Sequence, residues 1–311
     1  MQKNSTITLT LNPAIDKSAM VDTIIPEAKL RCYNIKSEPG GGGINVSKAL
    51  KKLGADSIAI FPCGGHNGNL IKDLLTQEDI TFIPIETKQE TRENFIVLET
   101  STNNQFRFGM PGAGLDETIA AQCLQLLSNL KEKPAYIVAS GSLPAGIHQS
   151  FYADVAKLAK TSNTKFILDT SGNALQLAAN EGVYLLKPNI AELCNLLGVT
   201  HIERDNVDEA AMEIIKKGNC EVIVVSLGAE GAVLVTKDFY ELVPAPKVKK
   251  LSTVGAGDSM VAGMVHMLMQ NRPLTEVVKF GVACGSAATM NPGTQLFNKQ
   301  DALTLFKQLM Q

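Results

Sequence analysis

The sequence of 311 residues predicts an α/β fold, and three observations carry that prediction. Strand-type alternation and helical periodicity trade places along most of the chain. Two stretches, residues 16–36 and 93–110, keep the strand pattern with no helix between. Two clusters of glycine each open a helix.

In chain order, the alternation predicts strands at Thr6–Leu11, Ser57–Phe61, Thr81–Ile85, Ala135–Ala139, Lys165–Asp169 and Tyr184–Leu186. Three more follow at Glu221–Ser226, Ala232–Thr236 and Tyr240–Val243. Helical spacing predicts Gly43–Leu53, Asn69–Gln77, Glu117–Leu130, Gln149–Thr161 and Ile190–Leu197. It continues with Val207–Lys217, Asp258–Met269, Leu274–Met290 and Asp301–Met310. The two exceptional stretches, taken with their flanks as about 14–36 and 89–111, read as excursions that build a small β-structure on one main domain. Ser101-Thr102-Asn103-Asn104 is the hairpin loop of the second. Such a sheet needs its apolar face covered, by the main domain, a partner subunit or both.

Composition narrows the function class. With 45% hydrophobic residues, a chain of this length buries roughly 75% of its unfolded surface. Its 29 basic and 31 acidic residues leave a net charge of −2. That balance argues against a bulk electrostatic grip on nucleic acid or on an anionic membrane, but leaves room for a local phosphate site. The first residues lack a signal-peptide core, and no apolar run reaches a membrane span. Six scattered cysteines read as reduced core residues, and four histidines show no ligand spacing. A cytoplasmic protein is expected.

Four motifs carry chemistry. Gly40-Gly41-Gly42-Gly43-Ile44-Asn45 brings free backbone N–H groups to a helix start and presents the Asn45 amide, suited to a polyol. It is neither a Walker A loop nor a GxGxxG fingerprint, and the bland alternative is a flexible turn. Gly255-Ala256-Gly257-Asp258 sits at the mouth of an apolar helix, where N–H groups hold charge developing on a phosphoryl. Asp258 there is placed to accept a hydroxyl proton, with the helix dipole expected to keep it ionised. The alternative is an ordinary N-cap aspartate.

In Lys187-Pro188-Asn189-Ile190-Ala191-Glu192, the lysine suits a phosphate, while Asn189 and Glu192 suit water-mediated Mg²⁺. A capping box explains the same pair. Ser226-Leu227-Gly228-Ala229-Glu230-Gly231 is a glycine-punctuated turn able to cover a nucleotide.

In this order the motifs resemble those of the ribokinase-like PfkB sugar kinases, from Asn12-Pro13-Ala14-Ile15-Asp16 to Asn291-Pro292-Gly293-Thr294. Within the family, Pro26–Cys32, Glu38–Val46, Phe106–Ala113 and Ser252–Met260 look closest to the bacterial ATP-dependent 6-phosphofructokinase branch. Phe108-Gly109-Met110-Pro111-Gly112 stands where fructose-1-phosphate and tagatose-6-phosphate kinases show Asn-x-Pro-Gly. Those two kinases are the alternative enzymes, and a non-catalytic nucleotide and sugar-phosphate sensor is the alternative from another class.

The resemblance implies a three-layer α/β/α sandwich with a β-sheet lid, working on ATP, Mg²⁺ and a phosphorylated ketohexose. It implies Asp258 as base and Gly255, Ala256 and Gly257 as anion hole. Asp16, Gly41, Gly42, Gly43, Asn45 and Ser142 would hold the sugar; Arg92 would take its phosphate, with Lys29 near that phosphate or a second nucleotide. Lys187, Ser226, Gly228, Gly231, Ser252 and Val254 would frame the nucleotide, and Asn189 and Glu192 would organise Mg²⁺. Ser252, Val254, Ala288, Asn291 and Gly293 would hold a monovalent cation such as K⁺, with Gln295 standing where close relatives carry arginine. A homodimer through the lid completes the expectation.

Overall fold

The computed structural model describes residues 5–311; residues 1–4, the start of the segment read as lacking a signal-peptide core, lie outside it. The chain runs through β1 (Thr6–Leu9), β2 (Ala14–Val21), β3 (Tyr33–Gly40), α1 (Gly42–Leu53), β4 (Ile58–Cys63), α2 (Gly65–Gln77), β5 (Thr81–Glu86), β6 (Arg92–Glu99) and β7 (Asn104–Gly109). It continues with α3 (Glu117–Ser128), β8 (Tyr136–Ser140), α4 (Phe151–Thr161), β9 (Lys165–Asp169), α5 (Gly172–Glu181), β10 (Val183–Leu186), α6 (Ile190–Leu197) and α7 (Val207–Lys216). It ends with β11 (Cys220–Ser226), β12 (Gly231–Thr236), β13 (Tyr240–Pro244), α8 (Ala256–Met269), α9 (Leu274–Thr289) and α10 (Lys299–Leu309).

Nine strands form the main sheet in the order β13-β12-β11-β10-β9-β8-β1-β4-β5, all running the same way except β12, which is antiparallel to both of its neighbours. Period-two alternation sends neighbouring residues to opposite faces. In β8, Ile137 and Ala139 enter a core with α3 to α7, whereas Tyr136 and Val138 enter a second core with α1, α8, α9 and α10. The result is three layers, helices covering both faces of one sheet.

The second sheet has the order β3-β2-β6-β7. Its central pair, β2 with β6, is parallel, so both strands leave the body at the same end, with Ala14 opposite both Gly40 and Arg92. Inner-face residues Ser18, Met20, Lys36, Ile96 and Gln105 line a cavity of about 450 Å³ against residues 292–295. Tyr33, Ile35, Phe106 and Phe108 of the same sheet are exposed.

Two readings need correction. Residues 172–181, given no element from sequence, form α5, burying Ala174, Leu175, Ala178 and Ala179. Its polar side is only Asn173, Gln176, Asn180 and Glu181, so small residues blur the contrast that periodicity relies on. Five cysteines are buried as expected, but Cys32 is exposed in the segment joining β2 to β3. Among the described residues no helix is long and apolar enough to cross a membrane.

Candidate active site

In a parallel sheet with helices on both faces, ligands gather beyond the carboxyl ends of the strands. Ser140 closes β8, Asp169 closes β9, Lys187 follows β10 and Ser226 closes β11. Thr10 and Asn12 follow β1 in the same way. One end of the sheet therefore collects most of the polar groups considered below.

Asp258 lies in the first turn of α8, whose cap Gly255 takes the left-handed φ of 71° that lets the chain turn into the helix. Asn45 Nδ2 donates to Asp258 Oδ2 at 2.9 Å and Ser140 Oγ donates to Oδ1 at 2.9 Å. The carboxyl is thus tied to α1 and β8 across the sheet. Burial, with the Asp169 carboxylate adding to it, pushes its pKa up to about 6 against the two hydrogen bonds and Lys187. The group is still ionised at neutral pH, in line with the expectation, but it is a stronger base than an ordinary carboxylate. Desolvation outweighs the hydrogen bonds from Asn45 and Ser140, which favour the ionised form.

The glycine run is tight rather than open. β3 ends at Gly40 and α1 begins at Gly42, leaving Gly41 alone with φ 116° to make the turn. A Cβ on Gly40 would sit 2.2 Å from Asp16 Oδ2, one on Gly42 2.3 Å from Ser140 Oγ, and one on Gly43 2.3 Å from the Leu9 carbonyl. The absent side chains are what allow Asp16, Ser140 and the start of α1 to meet. Ile44 N donates to Thr10 Oγ1 at 2.8 Å, fixing the first turn that carries Asn45.

Lys187 is buried and pairs with Asp169 at 3.1 Å. Burial works against its charge, but Asp169, with Glu192 and Asp258 behind it, holds its pKa above the usual value. Asn189 caps α6, and the capping box with Glu192 is complete: Asn189 Oδ1 accepts from Glu192 N and Glu192 Oε2 accepts from Asn189 N. Burial and the Asp169 charge raise the Glu192 pKa even so. Ser226 N donates to the Pro188 carbonyl at 2.9 Å, placing Ser226 and the Gly228–Gly231 turn beside Lys187 and Asn189.

At the junction of the two sheets, Asp16 accepts from Asn94 Nδ2 at 2.8 Å; burial raises its pKa, while Asn94, Arg92 and Lys48 oppose that rise. Arg92 Nη2 donates to the Asn12 carbonyl at 3.0 Å, Asn12 Nδ2 donates to Ser142 Oγ at 3.3 Å, and the buried Arg92 Nε has no partner among the described residues. Ser142 thereby joins this group. Lys29 does not: it is exposed in the segment joining the far ends of β2 and β3. Ser252 Oγ donates to the Gly293 carbonyl at 2.9 Å and accepts from Val254 N at 3.2 Å, so these two loops touch. The Ala288 carbonyl accepts from Asn291 N at 3.2 Å, closing the end of α9 on that turn.

Ser140, Asp169, Asn12 and Asn94 were missed as site residues. Ser140 and Asp169 stand at the carboxyl ends of correctly read strands, a signal that was available; Asn94, inside a strand, had none.

The model of the pfkB family of carbohydrate kinases matches residues 1–301. The chain belongs to this family. It is 42% identical over 303 residues to the ATP-dependent 6-phosphofructokinase isozyme 2 of Escherichia coli, covering 97% of this chain and 98% of that protein. The crystal structure of Escherichia coli phosphofructokinase-2 in complex with potassium superposes with a TM-score of 0.93 at 41% identity, covering 98% and 99% of the two chains. The 1-phosphofructokinase of Bacillus subtilis is more distant, 31% identical over 295 residues and covering 94% and 96%. This pfkB kinase shares the overall fold of the Escherichia coli crystal structure.

Proposed function

We propose that the protein is an ATP-dependent 6-phosphofructokinase, transferring the γ-phosphoryl of ATP to the 1-hydroxyl of fructose 6-phosphate. The observation that carries this reading is Asp258, held at the N-terminus of α8 by Asn45 and Ser140 with Lys187 close behind. The hydroxyl oxygen forms the new bond to γ-phosphorus and passes its proton to the Asp258 carboxylate. The bond from γ-phosphorus to the bridging oxygen breaks, and its electron pair leaves with ADP. A pKa of about 6 makes Asp258 a better proton acceptor than an ordinary carboxylate while leaving it ionised at neutral pH. The Gly255-Ala256-Gly257 backbone at the N-terminus of α8 would meet the charge that spreads over the moving phosphoryl, and Lys187 would add a fixed positive charge.

Mg²⁺ fits the donor set. Among the described residues no group of three His, Cys, Asp or Glu side chains forms a metal site. Glu192 and Asp169 lie close enough for Asp169 to raise the Glu192 pKa. One or two carboxylates, completed by water and substrate phosphates, are the usual Mg²⁺ environment. Bound there, the ion neutralises charge on the phosphates. The Ser252 hydroxyl and the Val254, Ala288 and Gly293 carbonyls are oxygen donors of the kind that take K⁺. The exposed Tyr33, Ile35, Phe106 and Phe108 suit a homodimer joined through the small sheet acting as a lid, observable by light scattering. The setting consistent with these substrates is cytoplasmic glycolysis.

Two measurements test the reading. ADP release is compared across fructose 6-phosphate, tagatose 6-phosphate, fructose 1-phosphate and ribose by kcat/KM. Fructose 6-phosphate should lead; a higher value for another sugar reassigns the substrate. Asp258→Asn should leave ATP binding nearly intact and cut turnover by orders of magnitude, and near-normal turnover would remove Asp258 from the base role.

A further inference from the structure

The geometry points to Asn94 as a positioning residue that ties Arg92 to Asp16 and keeps the two from pairing directly, so that the sugar's phosphate and its hydroxyls are read at one fixed spacing. This rests on the sugar-phosphate kinase reading above. Arg92 and Asn94 are two apart on β6 and share a face, and Asn94 stands directly opposite Asp16 in the β2–β6 register. The amide is used at both ends: Nδ2 donates to Asp16 Oδ1 at 2.8 Å and Oδ1 accepts from Arg92 Nη1 at 3.2 Å. An amide is the side chain that presents a donor and an acceptor at a fixed separation without adding charge.

That neutrality matters here. An arginine beside a carboxylate would otherwise close into an ion pair and silence both groups. Among the described residues no Arg92–Asp16 ion pair forms. Asp16 Oδ1 is taken by Asn94, while Oδ2 sits over Gly40, where a Cβ would lie 2.2 Å away. The carboxylate is therefore fixed on two sides. Arg92 is held by the Asn12 carbonyl, Asn94 and, at 3.4 Å, the Met110 carbonyl, with its buried Nε unpartnered among the described residues. The two charges are thereby held apart by a spacer that is polar and uncharged.

The test is steady-state kinetics with fructose 6-phosphate and ATP on Arg92→Ala, Asn94→Ala, the double variant and Asn94→Asp. Losing a hydrogen bond to a charged group corresponds to about tenfold or more in affinity. Asn94→Ala should raise KM for fructose 6-phosphate by about that factor, with kcat and KM for ATP moving less than about twofold. In the double variant the two losses should fall well short of additive, because Asn94 acts through Arg92 and Asp16. Asn94→Asp places a second carboxylate against Asp16, with Arg92, Lys48 and Glu38 as the other charged neighbours. Its KM defect should ease as pH falls and the carboxylate pair takes up a proton, a response that a purely structural role would not give.

An unchanged fructose 6-phosphate KM in Asn94→Ala, alongside a raised KM in Arg92→Ala, overturns the proposal alone. Equal rises in both substrates' KM, or fully additive losses, overturn it as well. An unchanged KM in Arg92→Ala instead overturns the sugar-phosphate reading on which it stands.

Discussion

Ser140→Ala isolates what the protein does to its base. The Ser140 hydroxyl donates to Asp258 Oδ1 at 2.9 Å and favours the ionised carboxylate, opposing the burial that raises the pKa to about 6. A hydrogen bond to a charged acceptor contributes about 1.5–3 kcal/mol, and one pKa unit corresponds to about 1.4 kcal/mol. The bond is thus worth about one to two units, and water entering the space left by the hydroxyl recovers part of that. The acid limb of the kcat/KM profile for fructose 6-phosphate should move up by about one unit. The activity lost on acidification is recovered at higher pH, where the variant base is again ionised. Initial rates of ADP release from about pH 5 to about pH 9 give the profile. The substrate's own phosphate titrates near pH 6, so the reading is the difference between variant and parent enzyme, in which that ionisation cancels. A limb that stays in place, or moves to lower pH, would refute the claim that Ser140 sets the state of Asp258.

Asp258→Asn should also stabilise the fold at alkaline pH. Because the native pKa lies above the ordinary value, the carboxyl's cost is absent well below about pH 4, grows as pH rises, and is complete above about 6. About two units correspond to about 3 kcal/mol, so thermal melts should rise by several degrees near pH 8 and converge toward the parent as pH is lowered; a gain largest in acid would reverse the sign. Gly40→Ala brings a Cβ to 2.2 Å from Asp16 Oδ2 and should raise KM for the phosphosugar at least tenfold, about 1.4 kcal/mol, with KM for ATP little changed. Glu192→Gln keeps the capping box but removes a charge; the Mg²⁺ concentration giving half-maximal rate should rise about tenfold, as read in a magnesium titration.

The sequence was most legible where pattern and position coincide. Parallel strands declare themselves as apolar runs, and Lys165–Asp169 and Ile190–Leu197 emerge with the boundaries the structure has. α5 escaped because alanine and leucine alternate with uncharged polar residues and give periodicity little to grip. Among the site residues, Gly255–Asp258 and Lys187–Glu192 were readable as strings, since neighbours in sequence share one helix start. What a string does not contain is the pairing of Asn45 with Asp258, 213 residues apart, or of Ser140 with Asp258, 118 apart. The raised pKa of the base belongs to this second kind. It arises from burial and from the neighbouring Asp169 charge, both of which exist only once β9 and α8 are packed into the same fold.

The small sheet joins the body along the row through Gly40, Ala14 and Arg92, and touches it again where Gln105 accepts from Ser252 Oγ at 3.3 Å. Were the sheet to rotate about that row, distance from it would set leverage. Asp16 and Asn94 lie two residues out, about 7 Å, whereas Val21 and Glu99 lie seven residues out, about 23 Å, at the rise of extended chain. A rotation of ten degrees would shift the first pair by about 1 Å and the far end by about 4 Å. The groups proposed to meet the sugar would therefore ride at the short end of such a lever, keeping nearly constant geometry while the far end moves most.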